Sequence, residues 1–391
     1  MPIVNRVADL QSDIQAWRRD IHQHPELLYD VHRTAAFVAD RLREFGCDEV
    51  ATGLGKTGVV GVIKGKRGPG SGEIKVIGLR ADMDALPIEE KTDLSYASKT
   101  PGKMHACGHD GHTAMLLGAA RYLAETRNFA GKAVVIFQPA EEGGGGAAAM
   151  IKDGLMDRFG IDQVYGMHNG PGIPIGAFAI RPGPIMAATD SIDITIEGYG
   201  GHASRPHKCI DSVLVGAQLI TALQSIVSRS IDPLDSAVIS ICEFHAGNAR
   251  NVIPQAAELK GTIRTLTPEV RVLVEKRVRE VVAGVAQVTG AKIDLRYKNN
   301  YPVTRNHAAP TEVARRVAKQ VAGEANVHEC PPLMGGEDFA YMLEARPGAF
   351  IFCGNGDSAG LHHPAYNFND EAIVYGTSYW IRLVESSLAA P

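Results

Sequence analysis

The sequence of 391 residues lacks three features that would place it in particular classes of protein. Its six cysteines stand singly, with no paired spacing, which argues against a disulfide framework. No apolar run approaches the roughly 20 residues of a membrane span, and the N-terminal segment has no apolar core of the kind found in secretion signals. Basic clusters are also missing, and the formal net charge of -4 is a poor match for nucleic acids or membrane surfaces. These absences predict a cytoplasmic protein with reduced thiols that are free to bind metal.

The remaining composition, 45% hydrophobic and 21% charged, is that of an ordinary globular protein. Strands alternate with helical segments up to His168, which predicts an α/β fold with a mostly parallel sheet covered on both faces. Within this part, Val59–Ile63 and Ile74–Leu79 are β-rich runs on either side of the Gly65–Gly72 loop. We expect these two runs to pair with each other.

A change of composition marks a second region. Prolines and glycines crowd the stretch from Pro171 to Pro184, and strands and helices then follow in the order β-α-β-β-α-β. This order is typical of the α+β, ferredoxin-like arrangement. The sequence therefore predicts one domain from residues 1–186 and 299–391, and an inserted domain of ordinary size over residues 187–298.

A cluster of polar side chains lies between two of the predicted strands. Residues Met104–His112 read MHACGHDGH, and a helical pattern from Thr113 to Ala124 follows at once. Cys107 and His109, two positions apart, suit a thiolate and an imidazole that bind a zinc-like ion. A surface turn rich in histidine beside a buried cysteine is the alternative interpretation of the same residues.

Other acidic and imidazole side chains follow predicted strands. They are Asp82 and Asp84 after one strand, Glu141 and Glu142 after a second, and His168 and His362 at the ends of two others. Strand ends form the ligand-binding crevice of an open α/β sheet, so we expect these side chains to meet. The alternatives are a charged turn for the aspartates and an acidic helix N-terminus for the glutamates.

The combined donor set predicts the kind of metal. Thiolate, imidazole and carboxylate together suit Zn²⁺, Mn²⁺, Co²⁺ or Ni²⁺ and do not suit Mg²⁺ or Ca²⁺. Five or more ligands exceed the need of one tetrahedral ion, which points to two ions about 3.5–4 Å apart that share a water molecule. The donor types leave open which of these metals is native.

Short motifs along nearly the whole chain resemble those of one enzyme family. They include HPEL, RADMDALP, MHACGHDGHTAML, FQPAEEGGGG, MHNGP, GGHASRPH, NVIP, KGTIRT, GGEDF and LHHPAY. The sequence resembles the dinuclear-metal hydrolases that include aminoacylases and glutamate carboxypeptidases, and specifically their amidohydrolase branch. This resemblance implies a metallo-exopeptidase-like catalytic domain. It also implies that the inserted domain serves as a lid and mediates assembly into a homodimer or homotetramer.

The resemblance implies two ions held by five ligands. These are Cys107, which would bridge the ions, and His109, Glu142, His168 and His362. The carboxypeptidase relatives have a metal-binding histidine where this chain has Asp82, and His109 would take over that role here. Of the two adjacent histidines, the motif selects His362 rather than His363.

Further roles follow from the same resemblance. Glu141 would be the general base, and Asp84 would orient a metal ligand. His202 would donate a hydrogen bond to the oxyanion of the tetrahedral intermediate. Asn251 and Arg264 would bind the substrate carboxylate, which Arg can grip through two parallel hydrogen bonds.

The implied reaction is hydrolysis of the amide bond of N-acyl amino acids such as hippurate by an activated water, which yields a carboxylic acid and a free amino acid. Two alternatives within the hydrolases are a metallo-exopeptidase acting on dipeptides and an N-acetyl-amino-acid deacetylase of the diaminopimelate type. A non-catalytic metal-binding protein is the remote alternative, and the presence of Glu141 beside Glu142 argues against it. The sequence leaves the acyl group and the amino acid open.

Overall fold

The computed structural model describes residues 3–66 and 74–389, which divide into two compact units. Unit 1 comprises the described parts of Met1–Ile185, Arg305–Pro331 and Asp338–Pro391, and unit 2 comprises Met186–Thr304 and Pro332–Glu337. Unit 2 is longer than the predicted 187–298 because its sheet continues to bond the chain beyond that point. The amide of Thr189 donates to the carbonyl of Tyr301 at 2.9 Å.

The strands of the described residues are numbered in chain order. They are β1 (Glu49–Leu54), β2 (Gly58–Lys64), β3 (Val76–Asp82), β4 (Lys132–Gln138), β5 (Gln163–Pro171), β6 (Phe178–Ala179), β7 (Gly183–Met186), β8 (Ala188–Glu197), β9 (Gly201–His202), β10 (Ala237–Ala246), β11 (Val252–Ile253), β12 (Ala256–Thr265), β13 (Lys292–Asn299), β14 (Thr304–Asn306), β15 (Val327–His328) and β16 (Gly348–Gly356).

The α-helices of the described residues are numbered in the same way. They are α1 (Asn5–Gln23), α2 (His32–Glu44), α3 (His109–Thr126), α4 (Gly146–Lys152), α5 (Leu155–Arg158), α6 (Ser212–Arg229), α7 (Pro268–Thr289), α8 (Ala308–Ala322), α9 (Ala340–Ala345) and α10 (Ile373–Ser387).

Unit 1 is built on a mixed sheet with the strand order β1-β2-β4-β3-β5-β16-β6-β15. The central strands β4, β3, β5 and β16 run parallel, whereas β1, β2 and β6 each pair antiparallel with a neighbour. The predicted α/β class is confirmed. The expected pairing across the Gly65–Gly72 loop is wrong, because β4 lies between β2 and β3 and pairs with both. Positions 67–72 of that loop lie outside the described residues.

The core of unit 1 explains why its strand ends are held in place. All five residues of Ala133–Phe137 in β4 are fully buried, and α3 buries Met115, Leu116 and Leu123 against the same core. Strands buried on both faces read as continuous apolar runs, as β4 does. The backbone at the ends of these strands is therefore closely packed, which fixes the positions of the residues that follow.

Unit 2 has the predicted β-α-β-β-α-β order. Its strands β8, β10, β12 and β13 form an antiparallel sheet in the order β10-β12-β8-β13, and α6 and α7 pack on it. Ile192, Ile194 and Ile196 alternate along β8 and fill the core beneath the helices. This is the ferredoxin-like topology that the sequence predicts.

Helix α6 is the one helix of the described residues that is long and apolar enough, by length and composition, to cross a membrane. Polar residues such as Gln218, Thr221 and Gln224 interrupt its apolar residues, so it contains no long continuous apolar run. Its residues Val215, Leu219 and Leu223 are buried in the core of unit 2. An apolar stripe facing a sheet accounts for the composition of this helix.

Candidate metal centre

The candidate centre lies in unit 1 and depends on a sharp turn at the start of α3. Helix α3 begins at His109, and Gly108 before it adopts a φ of +88°. A Cβ atom at Gly108 would come within 2.3 Å of Asn169 Nδ2 and 2.5 Å of Tyr366 Oη. Only glycine fits this close approach and this backbone conformation. The turn lets the side chains of Cys107 and His109 converge.

The five residues predicted as metal ligands come together around Cys107. Its Sγ lies 3.4 Å from His168 Nε2, and ligand atoms of Cys107, His109 and His168 lie within 4.8 Å of one another. A second group consists of Cys107, Glu142 and His362, whose ligand atoms also lie within 4.8 Å of one another. In this group His362 Nε2 is 3.2 Å from Glu142 Oε1. Cys107 belongs to both groups, which is the arrangement a bridging ligand requires.

An unpartnered nitrogen supports the fit of a cation. His109 is fully buried, and its Nδ1 lies 2.8 Å from the backbone oxygen of Asp84, whereas its Nε2 has no hydrogen-bond partner. Metal-binding histidines commonly donate one ring N–H to a carbonyl and present the other nitrogen to the ion. Buried polar atoms are seldom left without a partner, so a cation at this point would satisfy His109 Nε2.

The charges of the centre also favour a cation. Burial, followed by the negative charges of Glu142 and Glu141, raises the pKa of the Cys107 thiol well above its usual range. Burial opposes the charged form of His109, but the neighbouring Asp82 and Asp84 raise its pKa to about 10. A protonated His109 therefore supplies positive charge in the metal-free protein. A bound metal would replace that charge and deprotonate the thiol.

Asp84 connects the two sides of the centre. Its Oδ1 accepts a hydrogen bond from the amide of Glu141 at 3.0 Å, and its Oδ2 accepts one from the amide of Glu142 at 3.1 Å. Its backbone oxygen is the partner of His109 Nδ1. Asp84 thus fixes both the turn that carries the glutamates and the orientation of one imidazole.

Asp82 has different hydrogen-bond partners from Asp84. Its Oδ1 is 2.6 Å from His112 Nδ1, and its Oδ2 accepts a hydrogen bond from Arg80 Nη1 at 2.6 Å. Burial disfavours the charged form of Asp82, but its cationic neighbours His109 and Arg80 lower the pKa of this carboxyl well below its usual range. Both carboxylate oxygens of Asp82 already have partners.

The structure distinguishes the two adjacent histidines near the end of the chain. His362 faces Glu142 and adopts a φ of +64°, a strained conformation for a residue with a Cβ. Its amide donates to the backbone oxygen of Ala106 at 2.8 Å, which ties it to the segment before Cys107. The neighbouring His363 accepts a hydrogen bond from the amide of Ala365.

The predicted substrate-binding residues lie in unit 2. His202 pairs with Val252 across β9 and β11, and the amide of Ala203 donates to the backbone oxygen of Asn251. Ser204 donates to His202 Nδ1 from its amide and its hydroxyl, at 3.1 and 2.8 Å, which leaves Nε2–H as the free donor of the neutral ring. Arg264 on β12 is half-buried, and burial lowers its pKa.

Several polar residues near the centre have no predicted role. They are Arg80, His112, Gln138, Asn169 and Asp338, and all of them are buried. Each lies inside or next to a motif named above, so position in a motif is the signal that could have identified them. Composition and spacing give no such signal, because only the fold shows which of their atoms meet.

Comparison with known proteins places the chain among related enzymes. The sequence profile described as peptidase family M20/M25/M40 matches residues 78–386. The chain is 45% identical over 384 residues to the hippurate hydrolase of Campylobacter jejuni, with 98% of each chain covered. It is 42% identical over 388 residues to the N-acetyl-L-cysteine deacetylase of Bacillus subtilis, with 97% of this chain and 90% of that protein covered. A solved dinuclear metal-binding peptidase of family M20, YXEP of Bacillus subtilis, superposes with a TM-score of 0.84 at 34% identity, covering 98% of this chain and 100% of that one.

Proposed function

Given that the chain belongs to peptidase family M20/M25/M40, we propose that it hydrolyses hippurate-like N-acyl amino acids to a carboxylic acid and a free amino acid. Family membership confirms the predicted resemblance and the enzyme class, a metal-dependent amidohydrolase. The observation that carries the proposal is the convergence of five candidate ligands on Cys107, with Glu141 in the adjoining turn. The proposal concerns the substrate and the role of each residue.

Two ions of Zn²⁺ or Mn²⁺ fit the donor set best, and Co²⁺ or Ni²⁺ also fit. Cys107 would be shared by both ions, His109 and His168 would be terminal ligands, and Glu142 and His362 would complete the set. When bound, the ions would acidify the attacking water and polarise the scissile carbonyl.

The protein's own groups would carry the remaining steps. Glu141 takes a proton from the attacking water and delivers it to the leaving amine nitrogen as the C–N bond breaks. His202 Nε2–H donates to the oxygen on which negative charge develops. Arg264 and Asn251 bind the substrate carboxylate. Asp84 holds the turn that carries Glu141 and Glu142 and orients the imidazole of His109.

A substrate panel tests the proposal. The protein, freed of metal and then reconstituted with Zn²⁺, Mn²⁺, Co²⁺ or Ni²⁺, would be assayed with benzoylglycine, N-acetylated amino acids and glycyl dipeptides. We expect the highest kcat/KM with benzoylglycine. Preference for dipeptides would favour an exopeptidase. Absence of hydrolysis with every metal would favour a non-catalytic metal-binding protein.

A deacetylase is the second candidate. The similarity to an N-acetyl-L-cysteine deacetylase at 42% identity favours it specifically. The same panel separates the two, because a deacetylase would prefer the N-acetyl substrates to benzoylglycine.

Assembly and location remain predictions. Strand β10 lies at an edge of the sheet of unit 2, and its final residues, Cys242–Ala246, are all exposed. Exposed edge strands pair readily with another chain. We propose a homodimer or homotetramer formed through unit 2, which light scattering of the wild type and of Phe244→Glu would test. The cytoplasmic location would be tested by cell fractionation.

A further inference from the structure

His112 is the histidine of the MHACGHDGH motif whose partners are most fully defined. It is buried, its Nδ1 lies 2.6 Å from Asp82 Oδ1, and its Nε2 lies 2.9 Å from the amide nitrogen of Asn169. Ligand atoms of Asp82, His109 and His112 lie within 4.8 Å of one another, so proximity alone would make His112 a metal ligand. Its hydrogen bonds decide against that role.

The backbone amide of Asn169 fixes the tautomer of His112. A backbone N–H can only donate, so His112 Nε2 must accept and cannot carry a proton. The proton must then be on Nδ1, where it is donated to Asp82. Asp82 in turn is held by Arg80 through its other oxygen at 2.6 Å. Neither ring nitrogen of His112 therefore has a lone pair available for a metal.

Asn169 transmits this orientation to two predicted metal ligands. Its side-chain Nδ2 donates to the backbone oxygen of Cys107 at 2.6 Å, and its backbone oxygen lies 2.7 Å from His168 Nδ1. The second contact places the proton of His168 on Nδ1 and leaves Nε2 directed at Cys107 Sγ, 3.4 Å away. Tyr366 Oη completes the arrangement by donating to Asn169 Oδ1 at 2.8 Å.

We propose that His112 is a positioning residue that, through Asn169, orients His168 and the backbone of Cys107 for metal binding without itself binding the metal. This inference rests on the metal centre of the proposed function but not on its substrate. Partners of this kind commonly contribute about 10–100-fold to metal affinity.

Three variants separate the two hydrogen bonds of His112. His112→Asn can keep a donor towards Asp82 but loses the acceptor for Asn169. His112→Gln can place an amide oxygen near the position of Nε2 and so keep that acceptor. His112→Phe keeps neither. The control is His32→Asn, because the His32 side chain is 76% exposed and belongs to no part of the centre.

The measurements are made on the purified full chain with Co²⁺ as the metal. Affinity comes from competition with a chelator, stoichiometry from titration to saturation, and thiolate ligation from the sulfur-to-cobalt charge-transfer band. Folding of each variant is checked by circular dichroism, and His112→Asn alone carries the loss of the acceptor if His112→Phe does not fold. We expect affinity about 10–100-fold weaker in His112→Asn and His112→Phe, partial recovery in His112→Gln, and no change in the control. At saturation every variant should hold as many ions as the wild type and retain the band.

Two results with the His112 variants would overturn the inference. Loss of one ion per chain at saturating cobalt would make His112 a ligand, and unchanged affinity in both His112→Asn and His112→Phe would remove its positioning role. A wild type that binds no cobalt would refute the metal centre and the inference together. A wild type that binds cobalt but hydrolyses no N-acyl amino acid would refute the proposed function and leave the inference standing on the affinities.

Discussion

Glu141 and Glu142 are adjacent in sequence but have different partners. Glu142 Oε1 lies 3.2 Å from His362 and 3.9 Å from His109, among the predicted ligands. A carboxylate oxygen of Glu141 also lies within 4.8 Å of ligand atoms of His109 and Glu142, but its Oε1 accepts a hydrogen bond from the amide of Asp338 at 3.4 Å. The two carboxylates can therefore serve different purposes, one for the metal and one for proton transfer.

The first prediction separates these purposes. Glu141→Gln removes the proposed proton acceptor but leaves the predicted ligands, so we expect full metal content and a kcat lowered by about 10²–10⁴-fold. The matched change Glu142→Gln should instead lower metal content. Metal analysis and steady-state kinetics measure both, and substantial turnover by Glu141→Gln would contradict its role as base.

The second prediction concerns the thiol shared by the two ligand groups. Cys107→Ala removes a donor from both groups at once, so we expect loss of both ions rather than one. Cys353→Ala is a suitable control, because that cysteine is also buried but belongs to neither group. Wild-type metal stoichiometry in Cys107→Ala would exclude Cys107 as a ligand.

The sequence predicts most of the candidate residues that converge but does not assign a role to Asp82. The type and spacing of Cys107 and His109 suit a metal, and the family resemblance adds Glu142 as a ligand. Asp82 also carries a carboxylate, and only the structure shows that Arg80 and His112 occupy both of its oxygens. Such partners come from distant positions, so spacing cannot predict them.

At the scale of elements, the start of α3 depends on the conformation of Gly108. The apolar pattern predicts a helix from Thr113, yet the helix begins at His109. The first turn of the helix carries polar residues that line the candidate centre and do not pack in the apolar core. Hydrophobic periodicity therefore does not reveal this turn. The pairing of β2 and β3 with β4 also escapes sequence patterns, because long-range packing sets which strands are neighbours.

The third prediction tests this turn. Gly108→Ala should destabilise unit 1 and weaken metal binding, because the added Cβ would overlap Asn169 and Tyr366 in a backbone conformation that alanine disfavours. Gly102→Ala is the matched control, since Gly102 has a φ of +73° and no atom within 4 Å of the added Cβ. We expect Gly108→Ala to cost at least about 1 kcal/mol more in urea unfolding. Equal costs would show that the contacts with Asn169 and Tyr366 do not matter.

At the scale of the whole molecule, a buried histidine makes stability depend on pH. His22 lies 2.8 Å from Asp110 and 3.3 Å from Glu90. Burial opposes its charged form, but the hydrogen bond to Asp110 and the charge of Asp110, followed by the contact with Glu90, outweigh it and raise the pKa of His22 from 6.5 to about 9. The folded state therefore binds this proton more tightly than the unfolded chain does.

The fourth prediction follows from the sign of that shift. The stabilisation is fully present below pH 6.5, declines as pH rises, and is lost above the folded-state pKa of about 9. It amounts to about 3 kcal/mol over this range. Urea unfolding of the metal-free protein at several pH values measures it. The decline should flatten in His22→Gln and persist in His32→Gln, and an unchanged slope in His22→Gln would assign it to other groups.

The order of the chain gives the centre a property that its geometry alone does not display. Cys107, His109, Glu142 and His168 all precede unit 2 in the sequence, whereas His362 follows it. A ribosome must therefore translate the whole of unit 2 before the fifth predicted donor exists. A nascent or prematurely terminated polypeptide can present a partial set to cellular metals but never the complete one, so full loading is reserved for chains whose synthesis has passed the inserted unit.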